Sequence, residues 1–360
     1  MINITTILGA RPQFIKAAAI SRIIKKEYKN KISETIIHTG QHFDKNMSEI
    51  FFDELSIPRP DLNLSINSSN HGQMTGQMMI KIEEFLIKNK ADCVLVYGDT
   101  NSTLAGALVA SKLKIPVAHV EAGLRSHNMN MPEEINRRLT DHISSFLFCP
   151  TISAKSNLIN EGISENLFIP GDVMFDISKF YKDKALSSSK IFKHLDLKEK
   201  SYALVTCHRA ENTDNKKNLE AILTALDEIS THTRVILPLH PRTKKSIENF
   251  KLTNLLAKLS VLDPLPFFDM LMLEQKAKVI ITDSGGIQKE AFFYDVPCIT
   301  MRSETEWIET IDTGWNKLTG ADTDNILKAF SSLEDGKKNI YPYGDGTASN
   351  KILRTLINLL

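Results

Sequence analysis

The sequence has little cysteine, with four residues in a chain of 360. They are widely spaced and three sit in apolar, strand-like runs; they are Cys93, Cys149, Cys207 and Cys298. A disulfide framework or a cysteine-based zinc site needs cysteines in close, patterned spacing, so neither class fits. The pattern predicts reduced core residues of a cytoplasmic protein.

Long apolar runs and an excess of one charge are also absent. No segment approaches the ~18 apolar residues of a membrane span. The apolar run within Met1–Leu8 has no basic residues before it, so it predicts a first strand rather than a signal peptide. With 44 basic and 43 acidic residues, the formal net charge is +1. Lysine and arginine form no basic stripe, so neither nucleic acid nor membrane is expected as a partner.

Motifs for nicotinamide and metal chemistry are missing. The first strand is followed by Gly9–Pro12 (GARP), which has too few glycines for the GxGxxG turn of a dinucleotide-binding enzyme. The GDG at Gly344–Gly346 has no βαβ unit after it. No HExxH pattern occurs, and His38 and His42 straddle a strand end instead of sharing one helix face. The sequence argues against hydride transfer and a catalytic metal, and no cofactor is expected.

Short apolar runs alternate with longer amphipathic segments. The runs are INITTIL, ETIIH, CVLVYG, VAHVEAG and FLFCPT in the first half, then YALVTCH, RVILPLH, SVLDP, KVIITDSGG and PCITMR. Such alternation predicts an α/β fold with parallel sheets covered on both faces. The length suits two doubly wound domains, predicted at residues 1–180 and 181–345. The polar segment Lys182–Lys200 divides the two series and is the predicted linker.

The most informative segment is Thr282–Glu290, TDSGGIQKE. A β-branched strand is predicted before it and a helix after it, with Ser284, Gly285 and Gly286 at the turn. The glycines let the backbone approach a ligand, and the helix start directs N–H groups and its positive dipole end at that ligand, which suits a diphosphate. Glu290 is placed to accept hydrogen bonds from a ribose diol. A turn whose glycine serves packing explains the same residues, so both interpretations stay open.

Further polar residues follow predicted strands in both halves. They are Arg11, Lys16, Asp99 and Glu121 in the first half, and His208 and His240 in the second. Doubly wound folds bind ligands outside the carboxyl ends of their strands, so these residues are candidates for one ligand site in a cleft between the domains. Taken singly, Asp99 also fits a helix N-cap. Glu121 also fits an ion-pair partner of Arg125 or Arg137, and both histidines fit structural roles.

At these residues the chain resembles the non-hydrolysing UDP-N-acetylglucosamine 2-epimerases of bacteria and archaea. The matching motifs are collinear over essentially the whole chain: GARPQFIK (Gly9–Lys16), TGQH (Thr39–His42), YGDTNSTLAG (Tyr97–Gly106), HVEAGLRS (His119–Ser126), PEEINRRLTDH (Pro132–His142), TCHRAEN (Thr206–Asn212), TDSGGIQKEA (Thr282–Ala291) and PYGDG (Pro342–Gly346). The resemblance implies a GT-B fold of two Rossmann-like domains, with a final helix within residues 346–360 that returns to the first domain. It also implies a homodimer.

The resemblance further implies inversion at C2 of UDP-GlcNAc to give UDP-ManNAc, without metal or nicotinamide. In the family the C2 proton is removed while UDP leaves from C1, and UDP re-adds to the 2-acetamidoglucal with protonation of the other face. Matched residue by residue, Asp99, Glu121 and Glu133 are the implied proton-transfer carboxylates, and His208 assists at the diphosphate. The implied substrate-binding residues are Arg11, Lys16, His240, Ser284, Gly285, Gly286 and Glu290.

Three features depart from the family pattern. Trp307 stands where many members have the arginine of TERPE. Asp44 stands where regulated members have a glutamine, and Leu62–Ile80 has no lysine or arginine where they have an arginine. These two differences argue against allosteric activation by UDP-GlcNAc. The departures also resemble a related branch acting on UDP-2,3-diacetamido-2,3-dideoxy-glucuronate, which stays an alternative substrate. A GT-B glycosyltransferase and a nucleotide-sugar-binding regulator are the alternatives of other classes.

Overall fold

Seven parallel strands form the first sheet of the molecule. The computed structural model of the chain describes residues 1–40, 59–68 and 70–360. The sheet order is β3-β2-β1-β4-β5-β6-β7. The strands are β1 (Ile2–Leu8), β2 (Ile32–His38), β3 (Leu62–Asn63), β4 (Cys93–Tyr97), β5 (Val117–Val120), β6 (Phe146–Phe148) and β7 (Leu167–Phe168). The order reverses between β1 and β4, and the carboxyl ends of these neighbours form the switch point at which such folds bind ligands.

Helices cover this sheet. Among the described residues they are Arg11–Ile23 with a π-helical continuation Ile24–Tyr28, His71–Lys88, Asn101–Lys112, Pro132–Ile143, Ile152–Asn160 and Val173–Ser188. The helix Asn101–Lys112 lies close to β1 at Gly106. A larger residue would not fit there, because a Cβ at Gly106 would come within 2.7 Å of Ile7 Cδ1. In the described part of the chain, none of the helices has an apolar stretch long enough to cross a membrane.

The second sheet has six parallel strands in the order β10-β9-β8-β11-β12-β13. The strands are β8 (Tyr202–Thr206), β9 (Arg234–Pro238), β10 (Ser260–Leu262), β11 (Val279–Thr282), β12 (Cys298–Thr300) and β13 (Asn316–Leu318). The helices are Ile191–His194, Ala210–Thr213, Lys216–Ile229, Pro241–Phe250, Phe267–Lys276, Gly285–Phe293, Ile308–Asp312 and Thr323–Ser331, with a 3₁₀ turn Thr253–Leu256. The order reverses between β8 and β11, which makes their carboxyl ends the second switch point.

The chain divides into two compact units, residues 1–179 with 341–360, and residues 180–340. The helix Ala348–Leu359 belongs to the first unit and packs against the helix Arg11–Ile23. Asp176 caps the Ala348–Leu359 helix, because its carboxylate accepts the N–H groups of Ala348 and Ser349 at 3.0 and 2.7 Å. The domain boundaries after residues 180 and 345 remain sequence-based predictions.

The prediction of two doubly wound parallel-sheet domains is confirmed, and a strand forms in each of the ten predicted apolar runs. The sequence missed β3, β7 and β13. Each has two or three residues and lies at a sheet edge, so it is too short to produce a periodic pattern.

The predicted linker Lys182–Lys200 is mostly helical. The helix Val173–Ser188 runs through its first part and Ile191–His194 follows. Ile177, Tyr181 and Ala185 recur every four residues and are buried, so this stretch has one apolar helix face among its polar residues. Because the segment is rich in lysine and serine, its composition indicated a linker and the apolar helix face was missed.

The four cysteines are buried free thiols, as predicted. Burial raises the pKa of Cys93, Cys149 and Cys298 to about 12. Thiols held in the protonated form by their surroundings act as core residues rather than as nucleophiles.

Candidate active site

One buried glutamine holds the loop after β1. Gln13 Oε1 accepts the N–H groups of Gly9 and Ala10 at 2.8 and 3.0 Å. Its Nε2 donates to the carbonyl of Tyr97 at 2.8 Å and to Thr103 Oγ1 at 2.9 Å. The side chain therefore joins the ends of β1 and β4 at the switch point, and only an amide both donates and accepts in this way. Sequence reasoning did not identify Gln13, although it lies within GARPQFIK.

Asp99 lies in the turn after β4 and pairs with a buried arginine. Its Oδ2 is 2.5 Å from Nη2 of Arg137, whose Nη1 lies 3.0 Å from Glu134 Oε2. The following helix is capped by Thr100, whose hydroxyl accepts the Thr103 N–H. The interpretation of Asp99 as an N-cap is therefore wrong. Its carboxylate is 30% exposed, with a cation behind it.

Glu121 follows β5 in a left-handed backbone conformation, with a φ of 73°. Its carboxylate forms an ion pair with Lys16, and both side chains are largely buried. A Cβ at Gly98 would lie 3.2 Å from Glu121 Oε2 and 3.4 Å from Lys16 Nζ. Gly98 itself has a φ of 62°. Glycine is favoured here for two reasons: it adopts positive φ without strain, and it leaves room for the Glu121–Lys16 pair.

Arg125 has other partners. Its Nη1 is 2.7 Å from Asp141 Oδ2, and its Nε is 2.8 Å from Glu161 Oε1. The hydrogen bond from Arg125 is the main reason why the pKa of Glu161 falls to about 2. Glu121 pairs with Lys16 instead, so the interpretation of Glu121 as a partner of Arg125 is wrong.

Two adjacent glutamates near one helix start have different surroundings. Glu134 is fully buried and accepts the N–H and hydroxyl of Ser126 at 2.9 and 3.1 Å. Burial acts to raise the pKa of Glu134, but the Ser126 bonds and the Arg137 charge outweigh it and leave that pKa lowered. Glu133 lies about 100° around the helix, is partly exposed and forms no ion pair with another described residue. Glu134 thus serves the fold, and Glu133 is accessible.

In the second unit, the predicted phosphate turn opens the helix Gly285–Phe293. Ser284 is its N-cap residue and has extended backbone, and its side chain does not cap the helix. The N–H groups of the first turn thus have no side-chain cap within the described residues. Their alignment with the helix dipole favours an anion at this end.

Asp283 joins this turn to the loop after β8. Its buried carboxylate accepts the N–H groups of His208 and Arg209 at 3.0 and 2.9 Å, and Nδ2 of Asn212 at 3.2 Å. The carboxyl ends of β8 and β11 are thereby fixed together. The sequence showed Asp283 only as part of TDSGG, and its anchoring role was missed.

The structure brings the two predicted histidines together, with ring centroids 5.9 Å apart. Burial lowers the pKa of His208; Asp283 opposes this effect, and nearby cations reinforce it. Burial followed by the Arg242 charge lowers the pKa of His240, whose Nδ1 accepts the Arg242 N–H at 3.2 Å. Both shifts favour the neutral form of the imidazole.

Trp307 is buried beside the phosphate turn. A Cβ at Gly285 would lie 3.3 Å from its indole Nε1. Lys289 Nζ lies 3.8 Å from the centroid of the Trp307 ring, a cation–π distance. At the position where the family resemblance implies an arginine, this chain thus has an aromatic ring in contact with a neighbouring lysine.

The remaining predicted residues lie on helices or outside the described ranges. Arg11 is the first residue of its helix, and Glu290 is a half-buried residue of Gly285–Phe293. His42 and Asp44 lie outside the described residues. Within the described ranges, histidine, cysteine and carboxylate side chains form no group of three that would hold a metal ion.

A protein-family model described as UDP-N-acetylglucosamine 2-epimerase matches residues 25–357. The chain belongs to this family. A Methanococcus maripaludis protein called a UDP-N-acetylglucosamine 2-epimerase homolog is 50% identical over 99% of this chain and 100% of its own length. The UDP-2,3-diacetamido-2,3-dideoxy-D-glucuronate 2-epimerase of Pseudomonas aeruginosa is 49% identical, with the same coverage.

A solved structure extends the likeness to three dimensions. Methanocaldococcus jannaschii UDP-GlcNAc 2-epimerase, crystallised with UDP-GlcNAc and UDP, matches with a TM-score of 0.91 and 46% identity over 99% of this chain and 100% of that one. The match confirms the predicted GT-B fold class of the epimerase family. The predicted roles of individual site residues stay predictions.

Proposed function

We propose that this protein interconverts UDP-GlcNAc and UDP-ManNAc by inverting C2 of the sugar without hydrolysis. The observation that carries the proposal is the pair of carboxylates Asp99 and Glu121 at the ends of the adjacent strands β4 and β5, each backed by its own cation. Inversion at C2 requires proton transfer on both faces of the ring, and positioned carboxylates supply such transfer.

The proposed reaction has two balanced halves. A carboxylate takes the C2 proton while the C1–O bond breaks and UDP leaves with the bonding electrons, which forms the C1–C2 double bond of 2-acetamidoglucal. UDP then re-adds at C1, and a proton is delivered to the opposite face of C2. We assign these transfers to Asp99, Glu121 and Glu133.

The remaining candidates bind the nucleotide in this proposal. The uncapped helix start at Ser284, Gly285 and Gly286 stabilises the diphosphate charge, as helix N-termini do for phosphates. Arg11 and Lys16 supply positive charge, and His208 and His240 supply neutral N–H donors. Glu290 accepts hydrogen bonds from the ribose hydroxyls.

The proposal extends to assembly and regulation. Following the family resemblance, we propose a cytoplasmic homodimer, which light scattering coupled to gel filtration tests. We also expect hyperbolic kinetics without activation by UDP-GlcNAc, because Asp44 adds a negative charge and Leu62–Ile80 has no cation for a second diphosphate. A requirement for catalytic UDP-GlcNAc to start the reaction from UDP-ManNAc contradicts this expectation.

One NMR assay in deuterated water tests the activity. UDP-GlcNAc without an acceptor should give UDP-ManNAc carrying deuterium at C2. Release of UDP and free sugar alone indicates a transferase or hydrolase, and binding without turnover indicates a regulator. A parallel reaction with UDP-2,3-diacetamido-glucuronate tests the alternative substrate; faster turnover of this uronate than of UDP-GlcNAc overturns the substrate assignment.

A further inference from the structure

His119 of β5 is completely buried and has hydrogen-bond partners at both ring nitrogens. Its Nδ1 is 2.7 Å from Asp141 Oδ1, and its Nε2 is 2.7 Å from the backbone carbonyl of Gly98. A carbonyl oxygen only accepts hydrogen bonds, so Nε2 carries a proton and donates it to Gly98.

The partners of Asp141 show whether Nδ1 of His119 donates or accepts its hydrogen bond. Asp141 Oδ2 lies 2.7 Å from Arg125 Nη1 and 3.1 Å from the N–H of Gly123, and both of these groups donate. With these two donors on Oδ2, the other carboxylate oxygen, Oδ1, accepts from Nδ1–H of His119. Both ring nitrogens of His119 therefore donate, which is the hydrogen-bonding pattern of an imidazolium cation.

The contact with Gly98 lies next to two of the three candidate proton-transfer residues, Asp99 and Glu121. The N–H of Gly98 bonds to the carbonyl of Val120 at 3.0 Å, so both its backbone polar groups are tied to β5. Asp99 is the next residue along the chain. Glu121 is two residues after His119, and its Oε2 lies 3.2 Å from the position of a Cβ on Gly98. The orientation of the Gly98 peptide thus sets the spacing between Asp99 and Glu121.

A series of ion pairs holds the side chain of Asp99, in the turn after β4. It runs from Asp141 through Arg125, Glu161, Arg138, Glu134 and Arg137 to Asp99. His119 begins this series at Asp141 and also contacts Gly98 directly. The turn that carries Asp99 is therefore fixed through its backbone by His119 and through its side chain by Arg137.

We propose that His119 is a positioning residue, buried as an imidazolium, which holds the Gly98 carbonyl and so sets the geometry of Asp99 relative to Glu121. It touches no substrate and acts through the peptide of Gly98. This inference rests on the proposed epimerase function, since it concerns the alignment of that reaction's carboxylates.

Two variants of His119 test the hydrogen bonds of its two ring nitrogens separately. In His119→Gln the amide nitrogen takes the place of Nε2 and still donates to Gly98, whereas in His119→Asn it takes the place of Nδ1 and leaves the Gly98 carbonyl without its donor. Misplacement of a reacting group by about 1 Å can cost ~10²-fold in rate. We expect His119→Asn to lose about 10²-fold in kcat with KM nearly unchanged, and His119→Gln to retain most of the wild-type kcat.

Rates are normalised to the folded fraction from urea unfolding. Equal kcat in the two folded variants overturns the positioning role, as does a wild-type kcat in His119→Asn. If His119→Asn does not fold, His119→Gln alone decides: kcat near the wild-type value supports the role, and a loss near 10²-fold overturns it.

Nitrogen-15 NMR of the wild-type ring at neutral pH provides a readout independent of turnover. Two protonated ring nitrogens support the imidazolium, and one protonated nitrogen overturns it. A wild-type protein that turns over neither nucleotide sugar instead refutes the proposed function and leaves the spectroscopic result intact.

Discussion

The carboxylates of Asp99 and Glu121 differ from ordinary surface acids, because each has a cation directly behind it. Arg137 holds Asp99 and Lys16 holds Glu121. Charge-assisted bonds of this kind fix one orientation of a carboxylate. Glu121 carries a further constraint, since a non-glycine residue with positive φ persists only where its surroundings enforce it.

We expect Asp99→Asn, Glu121→Gln and Glu133→Gln each to lower kcat by about 10²–10⁴-fold, the usual contribution of a positioned acid or base. The amides keep the size of the side chains, so folding and UDP affinity should be retained. Rates come from the NMR assay, and affinities come from calorimetry with UDP.

Glu165→Gln is the matched control, because Glu165 is an exposed glutamate of the same unit. It should leave kcat unchanged. A wild-type kcat in any of the three test variants removes that residue from the catalytic set.

Sequence patterns predicted candidate ligand-binding residues but missed the buried residues that position their loops. Asp99 and Glu121 follow recognisable strands, so their position at the carboxyl ends of neighbouring strands could be predicted. Which glutamate of Glu133 and Glu134 is buried depends on helix register, and two adjacent acids give no hint of it. Gln13 and Asp283 were missed for a similar reason, since each bonds to a residue far away in the sequence, Tyr97 and Arg209 respectively, and only folding brings these close.

The two glycines at the start of the helix Gly285–Phe293 differ in the space available for a side chain. A Cβ at Gly285 would lie 3.3 Å from Trp307 Nε1, tighter than most real contacts, whereas at Gly286 the nearest atom is Ser284 Oγ at 3.9 Å. Alanine restricts the unfolded chain more than glycine does, so an alanine that fits its site is stabilising.

We expect Gly286→Ala to raise the free energy of unfolding by about 0.5 kcal/mol, and Gly285→Ala to give no gain or a loss. Gly285→Ala should also weaken UDP binding, because Trp307 must shift beside the turn. Urea unfolding and calorimetry measure the two effects. A larger gain in stability for Gly285→Ala than for Gly286→Ala shows that Trp307 does not restrict this position.

The loop of Arg125 is joined to the end of the helix Ile152–Asn160 through Glu161. The pKa of Glu161 is about 2 in the folded protein, below the ordinary value of 4.5. A lowered carboxyl pKa stabilises the fold fully above about pH 4.5, and this stabilisation is lost as the pH falls towards 2.

We therefore expect Glu161→Gln to destabilise the protein at neutral pH and to reduce the decline of unfolding free energy below about pH 4.5. Urea unfolding at a series of pH values measures this slope, with Glu165→Gln as the control that keeps the wild-type slope. An unchanged slope in Glu161→Gln shows that the ion pair with Arg125 does not contribute to acid sensitivity.

In both sheets the central strands were predictable, whereas three of the four edge strands, β3, β7 and β13, were not. β1, β4, β8 and β11 are apolar runs buried on both faces, which a sequence displays directly. β3 and β7 have two residues each and form only because a neighbouring strand offers unpaired backbone groups. Their existence is a property of the sheet rather than of their own residues.

The molecule as a whole consists of two units, and the chain enters the first unit twice. The second entry ends in the helix Ala348–Leu359, which buries Ile352, Leu353 and Leu356. These three side chains are part of the first unit's core although they lie at the far end of the sequence.

We expect Ile352→Ala to destabilise the first unit by about 2–5 kcal/mol, the usual cost of emptying a buried aliphatic site. The unfolding transition of the second unit should be unaffected. Differential scanning calorimetry measures both transitions. Leu359→Ala is the control on the same helix, since Leu359 is 46% exposed and should change stability little. Equal effects of the two variants contradict a core role for this helix.

The division of the chain also sets an order for biosynthesis. Residues 180–340 are one uninterrupted stretch, whereas the first unit needs residues 341–360 to complete it. A ribosome releases the chain from its first residue onward. The whole second unit has therefore been made before the helix Ala348–Leu359, which packs on the helix Arg11–Ile23, is synthesised. During translation the earlier-made unit is thus the later to be finished, and part of its apolar surface stays uncovered until the last residues have been made.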